Sequence, residues 1–140
     1  MGNFQLNDFI QFIFTENYNY LWVIAVIVMC VVGILFVKQS KSEDLMLSTS
    51  KLYFNYGIFV INNAISKSIF FFTNYYISRG LEDDPIFILI YKAATLFNLL
   101  AFAVLIYGID KNLINGKGYF GVIPVINILI AIFADIDTIR

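Results

Sequence analysis

Residues 20–37 read YLWVIAVIVMCVVGILFV, an apolar segment without a charged side chain. A helix needs about 20 predominantly apolar residues to cross the hydrocarbon core of a bilayer, so this segment is predicted to span a membrane. The composition of the whole chain agrees with that prediction. Its 140 residues are 60% hydrophobic and 14% charged, whereas soluble domains carry about 25% charged residues.

Further segments of span-like composition follow the first one. With it they predict an all-α fold, a polytopic integral membrane protein whose single domain over residues 1–140 is a bundle of four transmembrane helices. The second segment is the most polar, and Pro124 in the first turns of the fourth predicts a bend there. The predicted spans are 20–37, 52–77, 85–109 and 119–134.

The chain before the first span has an amphipathic pattern. Apolar residues at helical spacing lie opposite polar ones between residues 4 and 16, which predicts a short helix on the membrane surface. A frayed tail is the alternative. The apolar positions are Leu6, Phe9, Ile10 and Ile13.

Several residues are typical of helix ends. The hydroxyls of residues 48–50 are predicted to cap the start of the second helix, and Gly80 is predicted to close it. The acidic residues 82–84 precede Pro85, a residue favoured at the first position of a helix. We interpret this acidic cluster as a cap rather than a metal site.

Basic residues near the span ends predict the orientation. Five of them, Lys38, Lys41, Lys51, Lys111 and Lys117, fall on one side, and Arg79 and Arg140 fall on the other. Because cytoplasmic loops are enriched in Lys and Arg, both termini are predicted to lie outside the cell membrane. Tyrosines and Trp22 near the span ends are interpreted as interfacial belts.

Polar side chains form a stripe along the second predicted helix. At about 100° per residue, Asn55, Asn62, Ser66 and Thr73 share one line, and Asn63, Lys67 and Asn74 share a neighbouring line. Unpaired polar groups are costly in hydrocarbon, so the stripe must face another helix or a wet cavity. The predicted partner or ligand contacts are Asn62, Asn63, Ser66, Lys67, Asn74 and Lys92.

Lys67 lies roughly 15 Å below the outer end of its predicted helix, and Lys92 lies roughly 10 Å below the start of the next. Three interpretations stay open: both ammonium groups reach towards the headgroups, a partner helix supplies an acid, or the two lysines line a cavity for an anion. A chromophore-binding lysine is rejected because no span of this chain supplies an acidic counter-ion.

Several function classes are disfavoured by composition. Without histidine, the chain lacks His-based metal sites and Ser–His or Cys–His pairs. Its carboxylates fall in loops, at interfaces or near helix caps, where solvent or headgroups reach them. We therefore expect no enzyme, no cofactor and no metal. The net charge of −1 predicts no nucleic-acid partner, and the single Cys30 permits no internal disulfide.

Residues 57–77, GIFVINNAISKSIFFFTNYYI, and residues 90–133, which begin IYKAATLFNLL, carry a diffuse pattern of aromatic, Asn and Lys residues. The pattern resembles the first four helices of uncharacterised, often seven-helix membrane proteins of archaea. The resemblance covers about residues 20–134 and implies a receptor-like or sensor-like module without catalytic residues. The chain stops after the fourth predicted span, as a truncated copy or half of an assembly would.

These observations predict a non-enzymatic, sensor-like or accessory membrane module that acts through helix–helix contacts. Its expected partners are the lipid bilayer and either further copies of the chain or a membrane protein that supplies an acidic residue. The alternative is a protomer of a small oligomeric transporter or channel for an anionic solute, in which Lys67 and Lys92 attract the anion.

Overall fold

The computed structural model describes residues 6–15, 19–43, 46–81, 85–114, 116, 120, 122–123, 125–127 and 129–130. Within these residues the chain contains helices and no strand, which confirms the all-α prediction. The helices are α1 (Leu6–Thr15), α2 (Asn19–Gln39), α3 (Leu47–Ser78) and α4 (Pro85–Asn112). Residues 122–123, 125–127 and 129–130 are also helical.

Two helices of the described part, α2 and α4, are long and apolar enough to cross a membrane. They contain the predicted segments 20–37 and 85–109. α3 contains the predicted segment 52–77 and is longer, with 32 residues, but polar side chains interrupt its apolar sequence. The predicted segment 119–134 and its bend at Pro124 lie partly outside the described residues. Those described between 120 and 130 are exposed.

The sequence predicted the C-terminal end of α3 correctly and the cap at its N-terminal end incorrectly. The capping prediction for residues 48–50 was wrong, because the helix already begins at Leu47 and its N-cap, Met46, makes no side-chain capping bond. Gly80 closes the helix as predicted, with a positive φ of 66°. The Gly80 N–H donates to Ile77 O (2.9 Å) and the Leu81 N–H to Tyr76 O (3.0 Å), which satisfies the last carbonyls of the helix. The acidic residues 82–84 lie outside the described residues.

α3 lies between α2 and α4. Gly57 of α3 packs on Gly33 of α2, whereas Ser66 of α3 packs on Ala94 of α4. Gly57 and Ser66 are nine positions apart, which at about 100° per residue places them on opposite sides of α3. The three helices therefore form a layer with α3 in the centre. α2 and α4 pack on opposite sides of α3, and the two broad faces of α3 between those sides are covered by neither helix.

Glycine allows α2 and α3 to approach at backbone distance. A Cβ atom on Gly57 would lie 2.9 Å from Gly33 O and 2.5 Å from a methyl of Val37. A Cβ on Gly33 would lie 3.1 Å from Gly57 O. Small residues at helix crossings are typical of helices that pack in membranes.

α1 packs on the C-terminal part of α3 through aromatic side chains. Phe12 is buried against Phe71 and Tyr75, with ring centroids 5.3 and 5.4 Å away. Phe9 stacks on Phe72 at 5.1 Å. The Asn19 amide at the start of α2 donates to Phe12 O of α1 (2.9 Å). The apolar face of α1 is thus partly occupied by α3, while Leu6, Ile10 and Phe14 stay exposed.

Candidate functional site

One line of the predicted polar stripe faces α4, and its two hydroxyls are hydrogen-bonded inside the chain. Ser66 is fully buried, and its hydroxyl donates to Ala94 O at 2.8 Å. The buried Thr73 hydroxyl donates to Phe70 O of its own helix at 2.7 Å. The Asn55 side chain lies so close to Gly108 that a Cβ there would come 2.5 Å from its amide nitrogen. This line, with the half-buried Asn62, holds α3 to α4.

The neighbouring line lies on a broad face of α3, between the sides used by α2 and α4. Asn63 is half-buried, and its side-chain oxygen is buried without a hydrogen-bond partner among the described residues. Asn74, further along the same line, is exposed. This open polar face, defined by Asn63, Lys67 and Asn74, is the part of the stripe that internal packing leaves incomplete.

Lys67 contacts an aromatic ring of α2. Its ammonium nitrogen lies 5.7 Å from the centroid of the Trp22 ring, a cation–π geometry. The sequence predicted Trp22 as a belt residue and did not predict this contact. It depends on the register between α2 and α3, which neither segment reveals when taken alone.

The register also sets the level of Lys67 in the layer. α2 and α3 run antiparallel, with Phe36 beside Tyr53 (5.7 Å between ring centroids) and Gly33 beside Gly57. Trp22 follows the start of α2 at Asn19 by about one turn, or roughly 4.5 Å along the axis. Lys67, which contacts Trp22, is therefore level with the first turn of α2. The part of α3 that follows Lys67 extends beyond the start of α2.

Lys92 lies at nearly the same level on α4. Its neighbour Tyr91 contacts Phe70 (5.6 Å between ring centroids), and Ala94 contacts Ser66. Both lysines are half-buried. Of the predicted contact residues, the structure brings Ser66, Lys67 and Lys92 to one level, while Asn62 and Asn63 lie about one turn deeper and Asn74 lies towards the end of α3.

Two clefts occur at the opposite end of the layer, where α2 and α4 end and α3 begins. The lysine cleft has a volume of about 390 Å³, and the apolar groove beside it has about 840 Å³. The lysine cleft is lined by Ser40, Lys41, Ser50, Lys51, Phe54, Asn55, Tyr107, Lys111 and Asn112. The apolar groove is lined by Val32, Leu35, Phe36, Lys38, Gln39, Lys41, Ser42 and Tyr53. Neither cleft includes Lys67 or Lys92.

Most neutral polar groups in the lysine cleft already have partners. The Ser50 hydroxyl donates to Ser40 O, and the Ser40 hydroxyl donates to Val37 O at 2.7 Å. The Asn112 amide donates to Gly108 O at 3.0 Å. The ammonium groups therefore dominate the chemistry of the cleft. The sequence located these lysines only as orientation signals, since their convergence requires the fold.

The sequence predicts that solvent or headgroups reach the carboxylates, but the Asp110 side chain is buried. It lies in the last turn of α4 with only 3% of its surface exposed, and its Oδ2 has no hydrogen-bond partner among the described residues. Gly116 folds back over it and donates its N–H to Asp110 O at 2.8 Å. A buried carboxylate was missed because the chain that returns over it lies beyond the predicted span. No group of three or more potential metal ligands occurs within the described ranges.

The chain matches no protein-family model, no curated protein and no solved structure. The resemblance to archaeal multi-helix membrane proteins therefore stays a prediction. What can be inferred about function comes from the open polar face and the two clefts.

Proposed function

We propose that the chain is a non-enzymatic integral membrane protein that acts as a sensor-like or accessory module through helix–helix contacts. In this proposal four helices cross the cell membrane and both termini lie on the outer side. α2 and α4, long and apolar enough to cross a bilayer, support the membrane location. Most apolar side chains of α2 are exposed, and few of those of α4 are fully buried, as lipid contact requires.

The open polar face is the observation that carries the proposal. Asn63 has a buried oxygen without a described donor, and the Asn74 side chain is exposed on the same line. In hydrocarbon an unpaired amide costs several kcal/mol, whereas a hydrogen bond to another helix removes that cost. A helix laid against this face would cover the exposed part of Asn63 and offer hydrogen-bond partners to the Asn74 amide.

Lys67 adds a charge to the same face. Its contact with Trp22 leaves the positive charge without a counter-ion in the described part of the chain. A partner helix with an acidic side chain at this level would complement it. The partner is either a second copy of the chain or a different membrane protein, which leaves the assembly homo-oligomeric or mixed.

The proposal is tested by comparing two double variants of α3. Asn63→Leu/Asn74→Leu removes both amides, and Ile65→Leu/Ile69→Leu changes two apolar residues on the opposite broad face of α3. Native mass spectrometry of protein extracted gently from its own membranes gives the assembly state. We expect the asparagine variant to lose the partner and the control to retain it.

Two results would contradict the proposal. One is a wild-type chain that is monomeric at every extraction condition, with Asn63 and Asn74 accessible to small probes. The other is a complex that survives the asparagine substitutions while the control disrupts it. A circular dichroism spectrum unchanged from wild type would show that each variant keeps its helices.

Transport of an anionic solute is the second candidate function. It is favoured by the two lysines at one level, Lys67 on α3 and Lys92 on α4. It is less well supported, because neither described cleft includes them. Lys67→Leu separates the two functions: transport predicts lost anion flux from proteoliposomes with assembly intact, and partner binding predicts weaker assembly.

A further inference from the structure

Three lysines from different parts of the chain meet at the lysine cleft. Lys41 follows α2, Lys51 lies near the start of α3, and Lys111 lies in the last turn of α4. Their positions in the sequence are far apart, so the fold alone brings them together. No carboxylate among the described residues lines the cleft, and Glu43, in the same loop as Lys41, is not among the lining residues.

The donors in this cleft are mainly ammonium protons. The hydroxyl protons of Ser40 and Ser50 already bond to backbone oxygens. Lys111 donates to the Tyr107 hydroxyl at 3.0 Å, which uses one of its three protons and fixes the side chain at the cleft. An ammonium cluster with no carboxylate among its described lining residues favours an acceptor that carries negative charge on several oxygens, such as a phosphate.

The volume of the lysine cleft and the residues around it limit which phosphate compounds fit there. About 390 Å³ is enough for a polar headgroup and too small for a macromolecular surface. Lys41 also lines the apolar groove, where Val32, Leu35 and Phe36 lie below Lys38. A ligand held at Lys41 thus meets the lysine cleft on one side and the apolar groove on the other.

We propose that the lysine cleft binds the headgroup phosphate of an anionic phospholipid, with an acyl chain of the same lipid along the apolar groove. Basic clefts between helices at the cytoplasmic surface are suited to such headgroups. The inference rests on the proposed membrane location of α2 and α4, because that location places the lysine cleft among the headgroups. It does not depend on a partner at the open polar face.

The test measures lipid binding to the full-length protein in detergent by native mass spectrometry. Phosphatidylglycerol is compared with phosphatidylcholine, which has the same chains and a neutral headgroup. Lys51→Gln/Lys111→Gln removes two charges from the cleft. Arg79→Gln removes a charge at the other end of the layer and is the control.

We expect phosphatidylglycerol to bind more tightly than phosphatidylcholine to the wild type. At about 1 kcal/mol for each lysine, the cleft variant should lose about thirtyfold in affinity. The control should stay within about twofold, since the charge of Arg79 lies beyond the screening distance of the cleft.

Two outcomes would overturn the inference. Equal phosphatidylglycerol affinity of the cleft variant and the wild type would exclude the cleft as the site. Displacement of the lipid by an equal concentration of glycerol 1-phosphate would make a soluble phosphate compound the ligand. Alkaline carbonate extraction of native membranes tests the membrane location separately, so failure there is distinguished from failure of the lipid site.

Discussion

At the scale of single residues, Ser66 and Lys67 show how neighbours on one helix take different roles. Ser66 is fully buried and bonds to Ala94 O, so its side of α3 is closed by α4. Lys67 lies one position on, about 100° around the helix, and reaches Trp22 of α2. The two residues thus help to hold α3 to different neighbours.

The fit at Ser66 predicts two different stability losses. Ser66→Ala removes the hydrogen bond to Ala94 and should lower the free energy of unfolding by about 1 kcal/mol. Ser66→Val adds methyl groups against α4 and should lower it by about 1–3 kcal/mol more. Unfolding in mixed detergent micelles, followed by circular dichroism, measures both. If the valine variant is as stable as the alanine variant, Ser66 is not packed as described.

At the scale of helices, α3 owes its central place to small residues on two sides. Gly57 admits the backbone of α2, and the α4 side contacts Ala94 and Gly108. Both neighbours therefore pack close to the α3 axis despite their many large apolar side chains. A branched residue at either contact would push the neighbouring helix away.

Gly57→Val is predicted to separate α2 from α3. The new Cβ would meet Gly33 O and the Val37 backbone nitrogen, each at 2.9 Å, and backbone atoms cannot move aside cheaply. Ala25→Val on the exposed face of α2 is the control. We expect a loss of at least about 2 kcal/mol for Gly57→Val and less than about 0.5 kcal/mol for the control, by the same unfolding assay. Equal losses would count against the glycine crossing.

At the scale of the whole molecule, the described basic residues are divided between two ends. Four of them lie where α2 ends and α3 begins, namely Lys38, Lys41, Lys51 and Lys111. The others, Lys67, Lys92 and Arg79, lie towards the other end of α3. The fold therefore groups the charges that the sequence assigned to the cytoplasmic side. The lysine cleft is a result of that grouping.

The orientation is tested by labelling single cysteines in intact cells. In a Cys30→Ser background, Glu43→Cys lies at the lysine end and Ser78→Cys at the opposite end, and both positions are exposed. A membrane-impermeant maleimide should label Ser78→Cys in intact cells and label Glu43→Cys only after the membrane is opened. The reverse pattern would invert the proposed topology.

Local signals predicted the helices better than the contacts between them. Gly80 and Pro85 marked helix ends because their backbone preferences act within a few residues. The capping hydroxyls at 48–50 failed, since apolar residues before them extend α3. The Gly33–Gly57 crossing, the Lys67–Trp22 contact and the lysine cleft depend on the register between helices, which no single segment contains.

The contact between Lys67 and Trp22 also gives the molecule an optical reporter. Trp22 is the chain's only tryptophan, so its fluorescence comes from one known place. The residue is 41% exposed, and its ring lies beside α3 at the first turn of α2. Any event that separates α2 from α3 changes the surroundings of the indole and hence its emission. Lipids with brominated chains quench that emission according to the depth of the indole in the membrane. Helix pairing and immersion can therefore be followed in the unlabelled native chain by the emission of a single side chain.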